Sequence, residues 1–416
     1  MAKLITTLTE NLQENAISNL LEETLRDGAR KMLQQAIELE VNEYLEMNQS
    51  LRDEHGHRRV KRNGFLPQRR IQTGLGAINI RQPRVRDFRD GHRFTSAILP
   101  PYIRRTPSIE SVIPTLYLKG VSTGDIPKAL EAILGENAKG LSPTNITRLK
   151  SIWEEEFKEW CRRDLSEKRY VYIWADGIYF NTRLSDDRPC LLVIIGATPE
   201  GKKEFIAIHT GYRESKISWK EVLNDLKIRG IKEPPKLAIG DGALGFWAAL
   251  REVFPSTKEQ RCWVHKTANI LDKMPKSVQA NAKTTIHDIY MAPTKTDGLR
   301  AFHGFMEVYE AKFPKACDCL KKDREQLFTF YDFPAMHWQH IRTTNPIEST
   351  FATIRHRTRQ TKGCGSVLAT QTMVFKLAMS AEKGWRRLRG HKLIEKVISG
   401  VQFKDGEEIL NKGKAA

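Results

Sequence analysis

Three carboxylates stand in settings suited to hard-metal chemistry: Asp176 in WADGIYF, Asp241 in IGDGALGFWAAL and Glu348 in TTNPIEST. Each aspartate follows β-prone residues and precedes a glycine, and the glutamate opens a helical stretch. Mg2+ (or Mn2+) takes a few carboxylates and completes its octahedron with water and phosphate oxygens. Two such ions, about 3.5–4 Å apart, can activate an attacking oxygen and stabilise a leaving one, so that phosphodiesters are cut and exchanged. Three acids meet that need if Asp176 bridges both ions and Asp241 and Glu348 hold one each. Taken singly, each acid has a plainer reading. Asp-Gly is a frequent turn pair after a strand. Glu348, three residues after Asn345 and with Pro346 at the first helical position, also fits the far half of a capping box.

Positioning these acids requires particular elements. Tyr170–Ala175 reads as a strand ending at Asp176-Gly177, with Cys190–Ala197 and Glu204–Thr210 as two more in a meander. Trp219–Ile228 reads as a helix and Lys236–Gly240 as a buried strand closed by Asp241-Gly242. A helix over Ala243–Phe254 and a short strand over Gln260–Val264 follow. The order β-β-β-α-β-α-β describes an α/β fold with a ribonuclease-H-like mixed sheet. Its first and fourth strands lie side by side, which brings Asp176 to Asp241. Residues from about 266 to 340 read as a helical insertion before a last helix, Asn345 to about Gln360. Arg355 and Arg359 repeat on the face of Glu348. They suit a phosphate backbone, or a solvated basic face.

Lys and Arg number 68 against 50 Asp and Glu, a net +18 that suits a polyanionic partner. Residues 58–105 hold thirteen of the basic side chains, opposed only by Asp87 and Asp90, for a local net of +11. Twelve of the thirteen are arginines, whose planar fork fits phosphate and base edges. Arg58, Arg59, Arg62, Arg69, Arg70, Arg84 and Arg86 are the candidate contacts to double-stranded DNA in this block. Residues 107–165 read as short helices and a longer one opened by Ser142-Pro143. Asn145 and Arg148 near its start resemble the reading end of a helix-turn-helix.

The expected organisation is thus a helical, dimerising N-terminal region (1–55), a basic β-rich segment (56–106) and a helix-turn-helix-like domain (107–165). A catalytic domain (168–376) follows, then a C-terminal helix and polar tail (377–416). A homodimer or higher homo-oligomer is expected. Six scattered cysteines imply reduced thiols. With no apolar run long enough for a signal peptide or a membrane span, a soluble, cytoplasmic, nucleoid-associated bacterial protein is expected. No Gly-rich Lys-Ser/Thr loop is present, so no nucleotide cofactor is expected.

The strings WADGIYF (174–180), IGDGALGFWAAL (239–250), RCWVHK (261–266) and HWQHIRTTNPIEST (337–350) resemble those of the mutator-type transposases of bacterial insertion sequences. The resemblance implies a DDE transposase acting as a multimer on terminal inverted repeats, with Asp176, Asp241 and Glu348 as its acids. It also marks Cys262 and His265 as the cysteine–histidine signature after the fifth strand. His265 then serves the active site, by bonding the scissile phosphate or orienting a ligand carboxylate, and Cys262 packs. A zinc site is the alternative, with Cys317 and Cys319 as further ligands at poor spacing. Trp263 and Trp338 read as core residues or as platforms for an unpaired base. A metal-dependent nuclease of the same fold, a DNA-binding regulator without catalysis, and a serine or tyrosine recombinase remain as rival readings.

Overall fold

The computed structural model describes the chain apart from residue 1, most of 105–142, 181–189, 212, 361–365 and 410–416. It divides into two compact units, Met1–Leu149 and Lys150–Ala416. Among the described residues no helix is long and apolar enough to cross a membrane.

In the first unit a long helix, α1 (Ala2–Met47), packs on two antiparallel pairs. These are β1 (Val60–Phe65) with β4 (Pro83–Asp87), and β2 (Arg69–Thr73) with β3 (Gly76–Ile80). Alternation in β2 and β3 sends Ile71, Ile78 and Ile80 to one side, where they close a small core with Ile37 of α1 and Leu99. The β2–β3 turn uses Gly76 at φ +98°, a conformation open to glycine at little cost. On the solvent side of β1–β4, Lys61 stands directly opposite Arg86. Tyr44 of α1 donates to Asp87 at 2.8 Å, and Arg89 grips the same carboxylate. Arg89 holds that carboxyl well below the usual carboxylate range.

The helix α2 (Pro143–Arg162) starts at Pro143, as its Ser-Pro opening predicts. The other short helices expected within 107–142, and the side chains of Asn145 and Arg148, lie outside the described residues.

The second unit is built on a five-stranded sheet in the order β7-β6-β5-β8-β9. Its strands are β5 (Tyr172–Tyr179), β6 (Cys190–Ala197), β7 (Lys203–Gly211), β8 (Leu237–Gly240) and β9 (Lys258–Arg261). β5, β6 and β7 form an antiparallel meander, while β8 and β9 run parallel to β5. The sheet is therefore mixed, and the fold is α/β, as the element order predicted. β6 is buried along its whole length, which explains its unbroken aliphatic run. Helices α3 (Lys216–Ile228) and α4 (Leu244–Val253) cover one face, meeting Ile173, Leu192, Ile194 and Ala238 with Trp219, Leu223, Phe246 and Leu250. The helices α5 (Trp263–Leu271), α6 (Lys276–Met291), α7 (Lys295–Tyr309) and α8 (Pro314–Lys322) follow β9. After shorter turns come α9 (Asn345–Gln360) and α10 (Val367–Glu382).

Two boundaries differ from expectation for physical reasons. Asp176 does not end its strand: pairing with β6 continues from Asp176 opposite Val193 to Tyr179 opposite Cys190. Gly177 is strand backbone, whereas Gly242 has φ +92° and makes a true turn. The fifth strand stops at Arg261 because the chain turns into α5 at Trp263, whose N–H bonds the Arg342 carbonyl. The apolar string Cys262–Val264 disguises that change of period.

Candidate active site

The parallel register of β5 and β8 puts Ala175 opposite Gly240, so the next residues on each chain, Asp176 and Asp241, stand side by side. By the pleat, Asp176 shares a face with Tyr172 and Trp174. Those two side chains bind the segment leading to α9: the Tyr172 hydroxyl meets His337 Nδ1 at 2.8 Å, and Trp174 Nε1 donates to the His340 carbonyl at 2.9 Å. Helix α9 then packs against β5, with Ile347, Phe351 and Ile354 buried. Glu348, in its first turn, is carried toward the aspartates on that face.

Asp176 is only 7% exposed. Burial, with the negative charge of Asp241 added, pushes its carboxyl up to about 7. Its Oδ1 accepts from the next backbone N–H, Gly177, at 2.8 Å. Asp241 Oδ1 accepts from Ala243 N–H at 2.9 Å, so its side chain also caps its own turn. Glu348 Oε1 accepts from the Thr344 hydroxyl at 2.9 Å and lies 3.7 Å from His265 Nδ1. The neighbouring Cys262 sulfur, then the charges of Asp176 and Glu348, raise the His265 pKa to about 9 against the opposing effect of burial.

Two further residues join the site: Glu214, outside every quoted string, and Thr344, inside TTNPIEST but not one of its acids. Glu214 follows β7, and its carboxyl lies over Gly177, where a Cβ would come within 2.5 Å of it. Burial, then Asp241 and Asp176, push Glu214 up to about 7. The missing side chain of Gly177 is thus what lets a fourth acid approach. Thr344 precedes α9, and its hydroxyl reaches Glu348, Cys262 Sγ and His265 Nδ1, the last two at 3.3 Å. The helix begins at Asn345, so Asn345 is its first residue and the plainer alternative, an Asn345–Glu348 capping box, gives way to a Thr344–Glu348 contact. A Thr-Thr pair before Asn-Pro is the signal that could have revealed this.

Among the described residues, metal-ligand atoms of Cys262, His265 and Glu348 lie within 4.8 Å of one another. Cys317 and Cys319 stand apart from them on α8. Cys262 is wholly buried, and its sulfur already accepts from the Thr344 N–H at 3.3 Å, with the Thr344 hydroxyl oxygen in contact at the same distance. We therefore expect the purified protein to carry no stoichiometric zinc by elemental analysis. His265→Ala should lower activity by about 10–100-fold, the range of an outer-shell partner, with Cys262→Ser costing less. One zinc per chain, lost on changing either residue, would overturn this assignment. Trp263 is fully buried and donates to the Leu327 carbonyl at 2.8 Å, which removes it as a base-stacking platform. Trp338 is half-buried against the edges of Phe330 and Tyr331.

Comparison with known proteins matches residues 1–387 to the family described as "Transposase, Mutator family". The chain belongs to the mutator family of transposases. It is 49% identical over 279 residues, 67% of this chain and 94% of the relative, to the transposase for insertion sequence element IST2 of Acidithiobacillus ferrooxidans. It is 48% identical over 298 residues, 72% of this chain and 92% of the relative, to that for IS6120 of Mycolicibacterium smegmatis. The transposase for IS256 in transposon Tn4001 of Staphylococcus aureus is 27% identical over 358 residues, 83% of this chain and 88% of the relative.

The basic block of this family member is unequal in what its arginines can offer. Arg69 Nη2 is committed to the carbonyls of Pro100 and Ile103, and Arg62 pairs with Glu38 at 2.9 Å. Arg58, Arg59, Arg70, Arg84 and Arg86 are exposed. Arg355 is exposed and lies over the Phe351 ring, while the side chain of Arg359 is outside the described residues.

Proposed function

We propose that this DNA transposase cuts and joins DNA at a two-metal site of ribonuclease-H-like design, acting as a homo-oligomer on the terminal inverted repeats of an insertion sequence. The observation that carries the reading is the β5–β8 register, which sets Asp176 beside Asp241 while α9 brings Glu348 to the same face. The donor set fits magnesium or manganese: hard carboxylate oxygens, one of them largely buried, with more negative than positive charge around them. When bound there, divalent ions would supply charge to activate the attacking oxygen and stabilise the leaving one.

The chain's own residues supply the rest. Asp176, rigid within a paired strand, and Asp241, at a strand end, are the fixed ligands. Glu348 accepts from Thr344 through Oε1 at 2.9 Å, which leaves its second carboxylate oxygen to serve as the third. His265 stands beside it to hold its orientation. In the first step water attacks the phosphodiester at the element end, breaking the P–O bond and leaving a free 3′-OH. That hydroxyl then attacks a target phosphodiester in line, forming the new P–O bond as the target's own 3′ oxygen departs.

A nuclease of the same fold would stop after the first step. Incubating the full chain with labelled element-end DNA, target DNA and magnesium separates the two. Joined products, with no protein left covalently on DNA, are expected. Cleavage without joining supports the nuclease, and a covalent adduct a serine or tyrosine recombinase.

A further inference from the structure

Beside the acids, and not formed by them, lies a cavity of about 330 Å³. Arg251, Arg261, Lys266 and Lys322 line it beside two acids, Glu259 and Asp323, and Arg251 is already paired with Glu259. Arg261 ends β9 and Lys266 lies in the first turns of α5; they are only 5% and 2% exposed. Both turn to one carboxylate, Asp323 Oδ2, at 3.2 and 2.6 Å. Arg261 Nη1 is buried with no hydrogen-bond partner. Two buried cations thus share one acid, an arrangement that costs energy until a further anion arrives. The guanidinium lies against the turn after Asp241, since a Cβ on Gly242 would sit 2.2 Å from the Arg261 guanidinium carbon. The cavity therefore adjoins a catalytic acid.

A phosphate alone would leave most of that volume empty. The rest of the lining suits a nucleobase. Leu244, 72% exposed, offers apolar surface, and Trp247, otherwise packed in the core, borders the cavity. Asn269, which is exposed, and Gln326, which is half-buried, also line the cavity, and each carries a side-chain amide. Amides of this kind present the donor–acceptor pairs that read base edges.

We propose that this cavity takes up one nucleotide of the DNA substrate, with its phosphate at Arg261 and Lys266 and its base out of the stack between the apolar rim and the two amides. The inference rests on the proposed reading of Asp241 as part of the cutting site. Unstacking costs about a few kcal/mol in duplex DNA and least where pairing is already broken, as at a cleaved end.

The test uses the full chain, without divalent ions, and duplexes carrying its element's end with 2-aminopurine placed at successive positions around the cut. A several-fold rise in fluorescence is expected at one position. It should be largely lost in Asn269→Ala/Gln326→Ala and in Leu244→Glu, which sets a carboxylate at the mouth, with their melting temperatures preserved. A protein that binds the duplex with no rise at any position overturns the pocket and leaves the acids untouched. So does a rise that survives in both variants. A chain that does not bind the duplex overturns both readings.

Discussion

Asp176→Ala, Asp241→Ala and Glu348→Gln should each leave a chain that still binds DNA but neither cuts nor joins it. Each change removes a hard oxygen ligand and no basic contact. The losses should therefore exceed the roughly 10–100-fold carried by outer-shell partners such as His265. Asp176 also gives a test of sign. Its carboxylate is buried and repelled by Asp241, and among the described residues no basic side chain is bonded to it. Asp176→Asn keeps the shape and removes a charge that folding alone does not favour. Its melting temperature should be no lower than the parent's while joining vanishes, the usual opposition between stability and a charged site. Gel assays of end binding, cleavage and strand transfer, beside a thermal melt, read all four variants. Near-normal joining by any one of them would remove that residue from the site.

Much of this site was legible because strand order is a sequence property. The β-β-β-α-β-α-β succession, with acids at the first and fourth strands, contains the adjacency of Asp176 and Asp241 that the register displays. Helix α9 spans Asn345–Gln360, as its Asn-Pro opening indicated. Local signals failed where tertiary contacts decide the outcome. Asp176-Gly177 reads as a turn, yet neighbours on β6 keep it in the strand, and the glycine serves to admit Glu214. Glu214 itself has no sequence signal, since only packing after β7 brings it near the aspartates. Arg261 and Lys266 were visible within RCWVHK, but their shared carboxylate, Asp323, lies beyond three intervening helices. Likewise, nothing local tells Arg69, bound to two carbonyls, from its exposed neighbours.

That inequality among the arginines leads to the second large effect. Lys61 and Arg86 face each other across β1 and β4, and both lie over the Phe88 ring, at 5.1 and 4.8 Å. Arg84, two residues from Arg86, projects on the same side of the strand. None of the three has an acidic partner among the described residues, and like charges directly opposite destabilise a strand pair. The arrangement makes physical sense when a polyanion covers it. In the full chain, Arg84→Ala/Arg86→Ala should weaken DNA binding strongly at low salt and progressively less as salt rises. The slope of log affinity against log salt should become shallower by roughly 2, since each neutralised phosphate of duplex DNA contributes about 0.9. Removing one side of a repulsive pair should leave the melting temperature of the protein unchanged or raised, which separates lost contacts from lost fold. The corresponding change at Arg69, whose guanidinium ties down the backbone at Pro100 and Ile103, should instead lower stability and alter the salt slope little. Equal slopes for the parent and the Arg84/Arg86 variant would show that DNA does not lie on this face.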